Sequence, residues 1–306
     1  MAIPNHVRGS IVTIVRRAAR SILKYGALGE LSRMRRSEIA SPIAAAFDSA
    51  LRHPDQSTVA DLAAIERIRS QLNRSGDVIE MHDFGAGPRG RLGGDKAREG
   101  AVVERNLSEL STDSSADPFW ARLLHELVRQ LRPSVCLEMG GLVGISTAYQ
   151  AAALRRNRTD GRRGELICLE GDPTLSGIIQ SNLDGLGLGD LVTVVTGRFD
   201  ETLGRVAGDH APIDFAFVDG HHAFEPTLRY FEALRPHLAD GAVVVFDDIA
   251  WSPGMRSAWR AIVAQPGIAV AIATGQFGIV RLAAAGAGSG DTNGTLVLEK
   301  YAIRLV

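Results

Sequence analysis

Cysteine is scarce in this 306-residue chain: only Cys136 and Cys168 are present. Each stands two residues before an acid at the end of an apolar run, Val135-Cys136-Leu137-Glu138 and Ile167-Cys168-Leu169-Glu170. That spacing suits neither a disulfide framework nor a thiolate metal site. Both read as buried strand thiols of a protein in a reducing cytoplasm. Charge of one sign is also lacking. The net charge of -1 gives no electrostatic footprint for nucleic acid. No segment approaches the roughly 18 apolar residues that span a bilayer, and the N-terminus shows no apolar run leading to a small-residue cleavage site. A spanning helix and a signal peptide are therefore not expected. What remains is ordinary globular composition, 45% hydrophobic and 23% charged, in a chain long enough to bury a full core without staples.

The first 116 residues read as a helical extension. Residues 1–36 set Arg8, Arg16, Arg17, Arg20, Lys24, Arg33, Arg35 and Arg36 against the single acid Glu30, with Ile11, Ile14, Val15, Ala18, Ile22 and Leu23 at helical spacing among them. A basic amphipathic helix of this kind suits an anionic membrane surface, an acidic partner or packing on its own domain, and it could serve as a homo-oligomer surface. Residues 42–75 predict one or two further helices, striped by Ile43, Phe47 and Leu51 and then by Leu62, Ile65, Ile68 and Leu72. The glycine- and arginine-rich stretch Asp83–Gly94 excludes a regular element. It reads as a linker, or as a lid whose arginines reach a ligand.

From residue 117 to the end the text is regular. Asp117-Pro118 announces a helix by its cap and its first-turn proline. Phe119, Trp120, Leu123, Leu124, Leu127, Val128 and Leu131 form its buried stripe, and Pro133 ends it. Apolar runs at 134–139, 165–170, 191–196, 213–219 and 242–247 then alternate with helical patterns. Each run is too apolar for a sheet with one wet face, which predicts a parallel sheet covered on both sides. Only Thr274-Gly275-Gln276 separates 268–273 from 277–282, too short for a crossover helix, so these two runs predict an antiparallel hairpin.

Chemistry gathers at the ends of the runs. After the first comes Glu138-Met139-Gly140-Gly141-Leu142-Val143-Gly144-Ile145-Ser146-Thr147. Its glycines sit at a strand-to-helix turn, where a ligand can approach backbone closely. Their spacing differs from the dinucleotide fingerprint. Glu170, ending the second run, is placed to hold the two hydroxyls of a ribose. Asp172-Pro173 reads as the cap of the next helix.

On the Glu138/Gly140/Gly144 turn and Glu170, the chain resembles the class I S-adenosylmethionine (SAM)-dependent methyltransferases, firmly over 117–283. The resemblance implies an α/β, Rossmann-like seven-stranded sheet, mostly parallel with a terminal antiparallel hairpin. It implies SAM as cofactor, held by Glu138, Gly140, Gly144, Ser146, Glu170 and Asp219, with Gly197-Arg198-Phe199 bordering the adenine. The family often has an acid at that last place, and this chain has none.

A second cluster points to a subclass. Asp214-Phe215-Ala216-Phe217-Val218-Asp219 continues into Gly220-His221-His222, and the next strand ends at Asp247-Asp248. Neighbouring strands would bring Asp219, Asp247 and Asp248 together, a repulsive set unless a cation or protons intervene. Hard oxygen donors suit Mg2+ or a similar divalent ion. The arrangement is similar to the metal site of catechol-type and bacterial sugar and macrolide O-methyltransferases, whose Asp-x-x-His motif Asp219 and His222 match. This implies metal-assisted O-methylation of a small hydroxyl-bearing metabolite, with Asp219 and His222 catalytic and His222 taking the proton. His222 as a plain helix-entry residue, and Trp251 as pocket wall or core tryptophan, stay open. So do a SAM-binding module without transferase activity and an N-methyltransferase of the same fold.

Overall fold

The computed structural model describes residues 34–84, 101–284 and 296–299. The expected basic helix at 1–36 lies outside the described residues except for its last three, and the glycine- and arginine-rich stretch lies outside from Gly85 onward.

Two helices open the described chain, α1 (Ser41–Leu51) and α2 (Gln56–Leu72), followed by β1 (Val78–Asp83), β2 (Ala101–Asn106) and α3 (Leu107–Ser114). β1 and β2 pair antiparallel as a two-stranded arm that the apolar pattern does not predict. Its side chains include Glu80, His82, Glu104 and Arg105, so hydrophobic alternation is too weak to mark it. Beyond it, α4 (Pro118–Leu131) begins as expected: the Asp117 carboxylate accepts from the Phe119 N–H at 2.9 Å. The helix ends at Arg132 in a left-handed conformation ahead of Pro133.

The remainder alternates: β3 (Val135–Met139), α5 (Ile145–Thr159), β4 (Glu165–Glu170), α6 (Pro173–Gly185), β5 (Val192–Thr196), α7 (Phe199–Asp209), β6 (Ile213–Val218), α8 (Phe224–Leu234), β7 (Leu238–Phe246), α9 (Pro253–Val263), β8 (Ile268–Ala273) and β9 (Gly278–Leu282). With a last short strand β10 (Leu296–Glu299), the sheet order is β10-β8-β9-β7-β6-β3-β4-β5. The seven expected strands are present, and β9 runs antiparallel between β7 and β8. A short β10 (Leu296–Glu299) adds an eighth, parallel to β8, at an edge whose backbone groups would otherwise be unpaired.

Period-two alternation sends each strand's residues to opposite faces. Cys136, Cys168, Phe215 and Phe217 pack towards α4, α5 and α6, in a cluster that also contains Ile43, Leu62 and Ile65 of the extension. Leu137, Leu169, Ala216 and Phe246 pack on the other face, with Leu203, Phe231 and Trp259 of α7, α8 and α9. Polar contacts tie the extension to the same side. Asp61 pairs with Arg155 at 2.9 Å and Arg156 at 2.8 Å, and the Tyr149 hydroxyl donates to Glu66 at 2.7 Å.

The topology positions the site. The chain passes from β3 to β4 to β5 and then returns to the far side of β3 as β6. Strand order therefore reverses at β3, and the crevice at the carboxyl ends of such strands is where open α/β sheets bind ligands.

Candidate active site

Backbone bonds fix the strand ends in register around that crevice. The Gly140 N–H donates to Leu169 O at 2.9 Å, Gly197 N–H to Glu170 O at 2.9 Å, Asp219 N–H to Met139 O at 3.0 Å and Asp247 N–H to Val218 O at 3.0 Å. Gly140 is left-handed (φ 92°), and a Cβ there would collide with the Asp219 carbonyl. Gly144 (φ 84°) opens α5. The glycines of the turn thus answer two needs, a sharp reversal and close passage of the β3 and β6 ends.

A cavity of about 740 Å³ lies over these ends. Of the expected residues, Gly140, Glu170, Arg198, Phe199 and Asp219 line it, together with His222, Asp247 and Asp248. Ser146 lines a small adjoining crevice with Gly140 and Asp219. Glu138, Gly144 and Gly197 do not line the cavity. Gly197 (φ 144°) shapes the entry to α7, and Glu138 lies behind the turn.

Glu138 is fully buried, and neither carboxyl oxygen has a hydrogen-bond partner among the described residues. Burial raises its pKa to about 7, against the lowering influence of Thr147, Ser146, Cys168 and Gln150 around it. In the folded protein it holds a proton over a range where an unfolded glutamate, at 4.5, has lost it. Its contribution to stability is thus complete below about pH 4.5 and is lost as the pH rises through about 7. Glu138→Gln is expected to match the wild type near pH 5 and to exceed it above pH 8 by about 2–3 kcal/mol, measured by urea unfolding without cofactor. Parallel pH profiles for the two proteins would contradict this account.

Glu170 accepts the Leu142 N–H at 2.9 Å on one oxygen and the Asp172 N–H at 3.0 Å on the other. Burial raises its pKa; these backbone bonds oppose the shift. Each oxygen keeps a further lone pair. Asp172 caps α6 as expected, accepting from Leu175 N–H at 2.9 Å.

Asp219, Asp247 and Asp248 line the same cavity. Burial, with the charges of Asp247 and Asp248, raises the Asp219 pKa well above the usual carboxylate range, and burial beside Asp248 raises that of Asp247. Gln276, in the turn between β8 and β9, donates through Nε2 to Asp247 at 2.6 Å and to Asp248 at 2.8 Å. The Asp248 N–H adds a bond to Asp247 at 2.7 Å. Among the described residues no three His, Cys, Asp or Glu side chains are arranged to hold one metal ion. Sequence reading missed Gln276: it stood in a segment read only for its shortness.

His222 lies with Nε2 3.4 Å from Asp219 Oδ1, its ring 6.0 Å from that of Trp251. Burial lowers its pKa, opposed by Asp248 and reinforced by His221. The imidazole is therefore neutral at neutral pH and able to accept a proton. His221 (φ 56°) turns the other way, and its Nδ1 meets the Tyr230 hydroxyl at 2.7 Å. This contact fastens to α8 the loop that carries Asp219 and His222. Trp251 is 37% exposed at the cavity, a wall and not a core residue.

A family model described as a methyltransferase domain matches residues 137–249. A catechol O-methyltransferase of Niastella koreensis is 31% identical over 136 residues, 44% of this chain and 58% of that protein. Another, of Mycobacterium tuberculosis, is 28% identical over 164 residues, 54% of this chain and 70% of that protein. The chain thus spans less than two thirds of the first relative's length. Among solved structures, an O-methyltransferase from Bacillus cereus in complex with SAH superposes with a TM-score of 0.50 at 19% identity, covering 77% of this chain and 94% of that one. A cofactor-bound protein from MTB gives 0.50 at 23% identity, covering 77% and 93%. These two likenesses bear on the fold alone. Among the described residues no helix is long and apolar enough to cross a membrane. The strand order that reverses at β3, the glycine turn at the reversal and the match to a methyltransferase domain over 137–249 fall on the same strands, so this stretch of the chain is similar to methyltransferase domains.

Proposed function

We propose that this protein transfers the methyl group of SAM to a hydroxyl of a small acceptor. The observation that carries the reading is the meeting of Glu170, Asp219 and His222 on one cavity large enough for a nucleoside and a second small molecule. The sequence likeness to catechol O-methyltransferases supports oxygen as the acceptor atom. SAM supplies an electrophilic sulfonium methyl.

Glu170 takes the ribose hydroxyls, and the Gly140–Leu142 turn lets the donor lie against backbone. The acceptor enters beside Trp251, with its hydroxyl towards His222. Neutral His222 takes the hydroxyl proton as the oxygen–carbon bond forms and the carbon–sulfur bond breaks, which leaves SAH as a neutral thioether. Asp219 Oδ1, 3.4 Å from His222 Nε2, lies within reach to accept from the imidazolium so formed.

In donor type and charge, Asp219, Asp247 and Asp248 fit a hard divalent ion. Such an ion would supply Lewis-acid stabilisation of the ionised hydroxyl. The test is transfer from methyl-labelled SAM to a panel of catechols and other small hydroxyl compounds, with and without excess EDTA. Labelled product is expected, lost on chelation while SAM binding is retained. Product unchanged by EDTA would remove the ion and leave His222. SAM binding with no product on any acceptor would favour a binding module.

A further inference from the structure

The β1–β2 arm lies outside the span matched to the methyltransferase model, yet it is fastened to the cofactor end of the crevice. The His82 N–H donates to the Asp172 carboxylate at 2.7 Å, and His82 Nδ1 lies 3.1 Å from the same oxygen. The Thr174 hydroxyl donates to the Glu80 carbonyl at 3.0 Å. Asp172 is buried and stands two residues after Glu170, with its other oxygen committed to the α6 cap. The arm therefore moves as one body with the loop that carries the ribose acid.

Phe84, the next residue after β1, lines the cavity together with Met81, His82, Asp83 and Arg105 of the arm. Its ring lies so close to Gly171 that a Cβ there would stand 2.7 Å from it. Gly171 lines the cavity directly after Glu170, and its own lack of a side chain admits the ring. The Arg198 guanidinium lies over the ring, 5.6 Å from its centre. An aromatic ring half-buried beside a ribose-binding acid, with a planar guanidinium next to it, makes a surface suited to the flat face of a purine.

We propose that the arm is a working part of the cofactor site, with Phe84, seated in the space that Gly171 leaves open, supplying the aromatic face on which the adenine of SAM stacks. This rests on the methyl-donor reading above. It accounts for two features at once: a glycine directly after the ribose acid, and an arm outside the main sheet docked through three bonds at that point.

The test is calorimetric titration of the full chain with SAH and, separately, with adenosine. The wild type is compared with Phe84→Leu, which keeps apolar volume without the aromatic face, and with Phe84→Trp, which keeps the face. Phe84→Leu is expected to bind both ligands about tenfold or more weakly, the effect of losing one base–aromatic stack. Phe84→Trp is expected to stay near the wild type. A thermal midpoint equal to that of the wild type shows that the arm is still folded. Should Phe84→Leu lose its fold, Phe84→Trp decides alone: wild-type affinity supports the stack, and a tenfold loss counts against it. Phe84→Leu binding SAH as tightly as the wild type overturns the inference, and tighter binding would make Phe84 a plug. A wild type that binds no SAH would overturn the donor reading and this one with it.

Discussion

Replacing His222 by alanine is expected to lower methyl transfer by about 10²–10⁴, the usual loss when a positioned general base is removed. SAM affinity should stay near the wild-type value, because the proposed reading gives His222 no contact with the donor. The pH profile separates this role from a structural one. In the wild type, burial keeps the imidazole pKa below its ordinary 6.5. Turnover should therefore be flat through neutral pH and fall only in acid. In His222→Ala that acid limb should vanish. The deficit should shrink as pH rises and the acceptor hydroxyl ionises unaided. A variant with wild-type turnover at pH 7, or one whose deficit stays constant up to alkaline pH, would remove His222 from the proton transfer.

Glu170→Ala is expected to weaken SAM and SAH by about 2–3 kcal/mol, roughly 30- to 150-fold in Kd. Two losses combine. The ribose would lose its charged acceptor, and the N–H groups of Leu142 and Asp172, now bonded to Glu170 at 2.9 and 3.0 Å, would lose theirs. Those bonds hold together the glycine turn and the loop before α6. Glu170→Gln keeps one acceptor oxygen and the side-chain volume, and it should fall between alanine and the wild type. Calorimetry with SAH reads the difference directly, with a thermal melt of each protein alongside. Unchanged affinity in Glu170→Ala would mean that the ribose is held elsewhere.

Much of the scaffold was legible because its signals are local. The apolar runs from 134 to 282 mark β3 to β9 to within a residue at most ends, since a strand covered on both faces tolerates few polar residues; β7 instead begins at Leu238, four residues before its run. Asp117, Asp172 and their prolines mark two helix starts by capping chemistry that needs only a few neighbouring residues. The β1–β2 arm was not legible, because its strands carry charged and polar residues and are joined through the glycine- and arginine-rich stretch. The basic segment at 1–36 remains an expectation of composition alone.

Sequence by itself determined the glycine turn at Gly140 and Gly144, the acid at Glu170 and the Asp219-x-x-His222 spacing. Each is a short-range pattern whose geometry follows from one strand end and one turn. Only the tertiary structure decided what faces those residues. It put the Gln276 amide between Asp247 and Asp248, set Phe84 on Gly171 some 87 positions further along the chain, and left Glu138 buried without partners behind the turn. These outcomes depend on the register of elements far apart in sequence, and on which of them share the carboxyl edge of the sheet. Local periodicity and capping carry no information about either, because the free energy that chooses the register comes from burying whole strand and helix faces together.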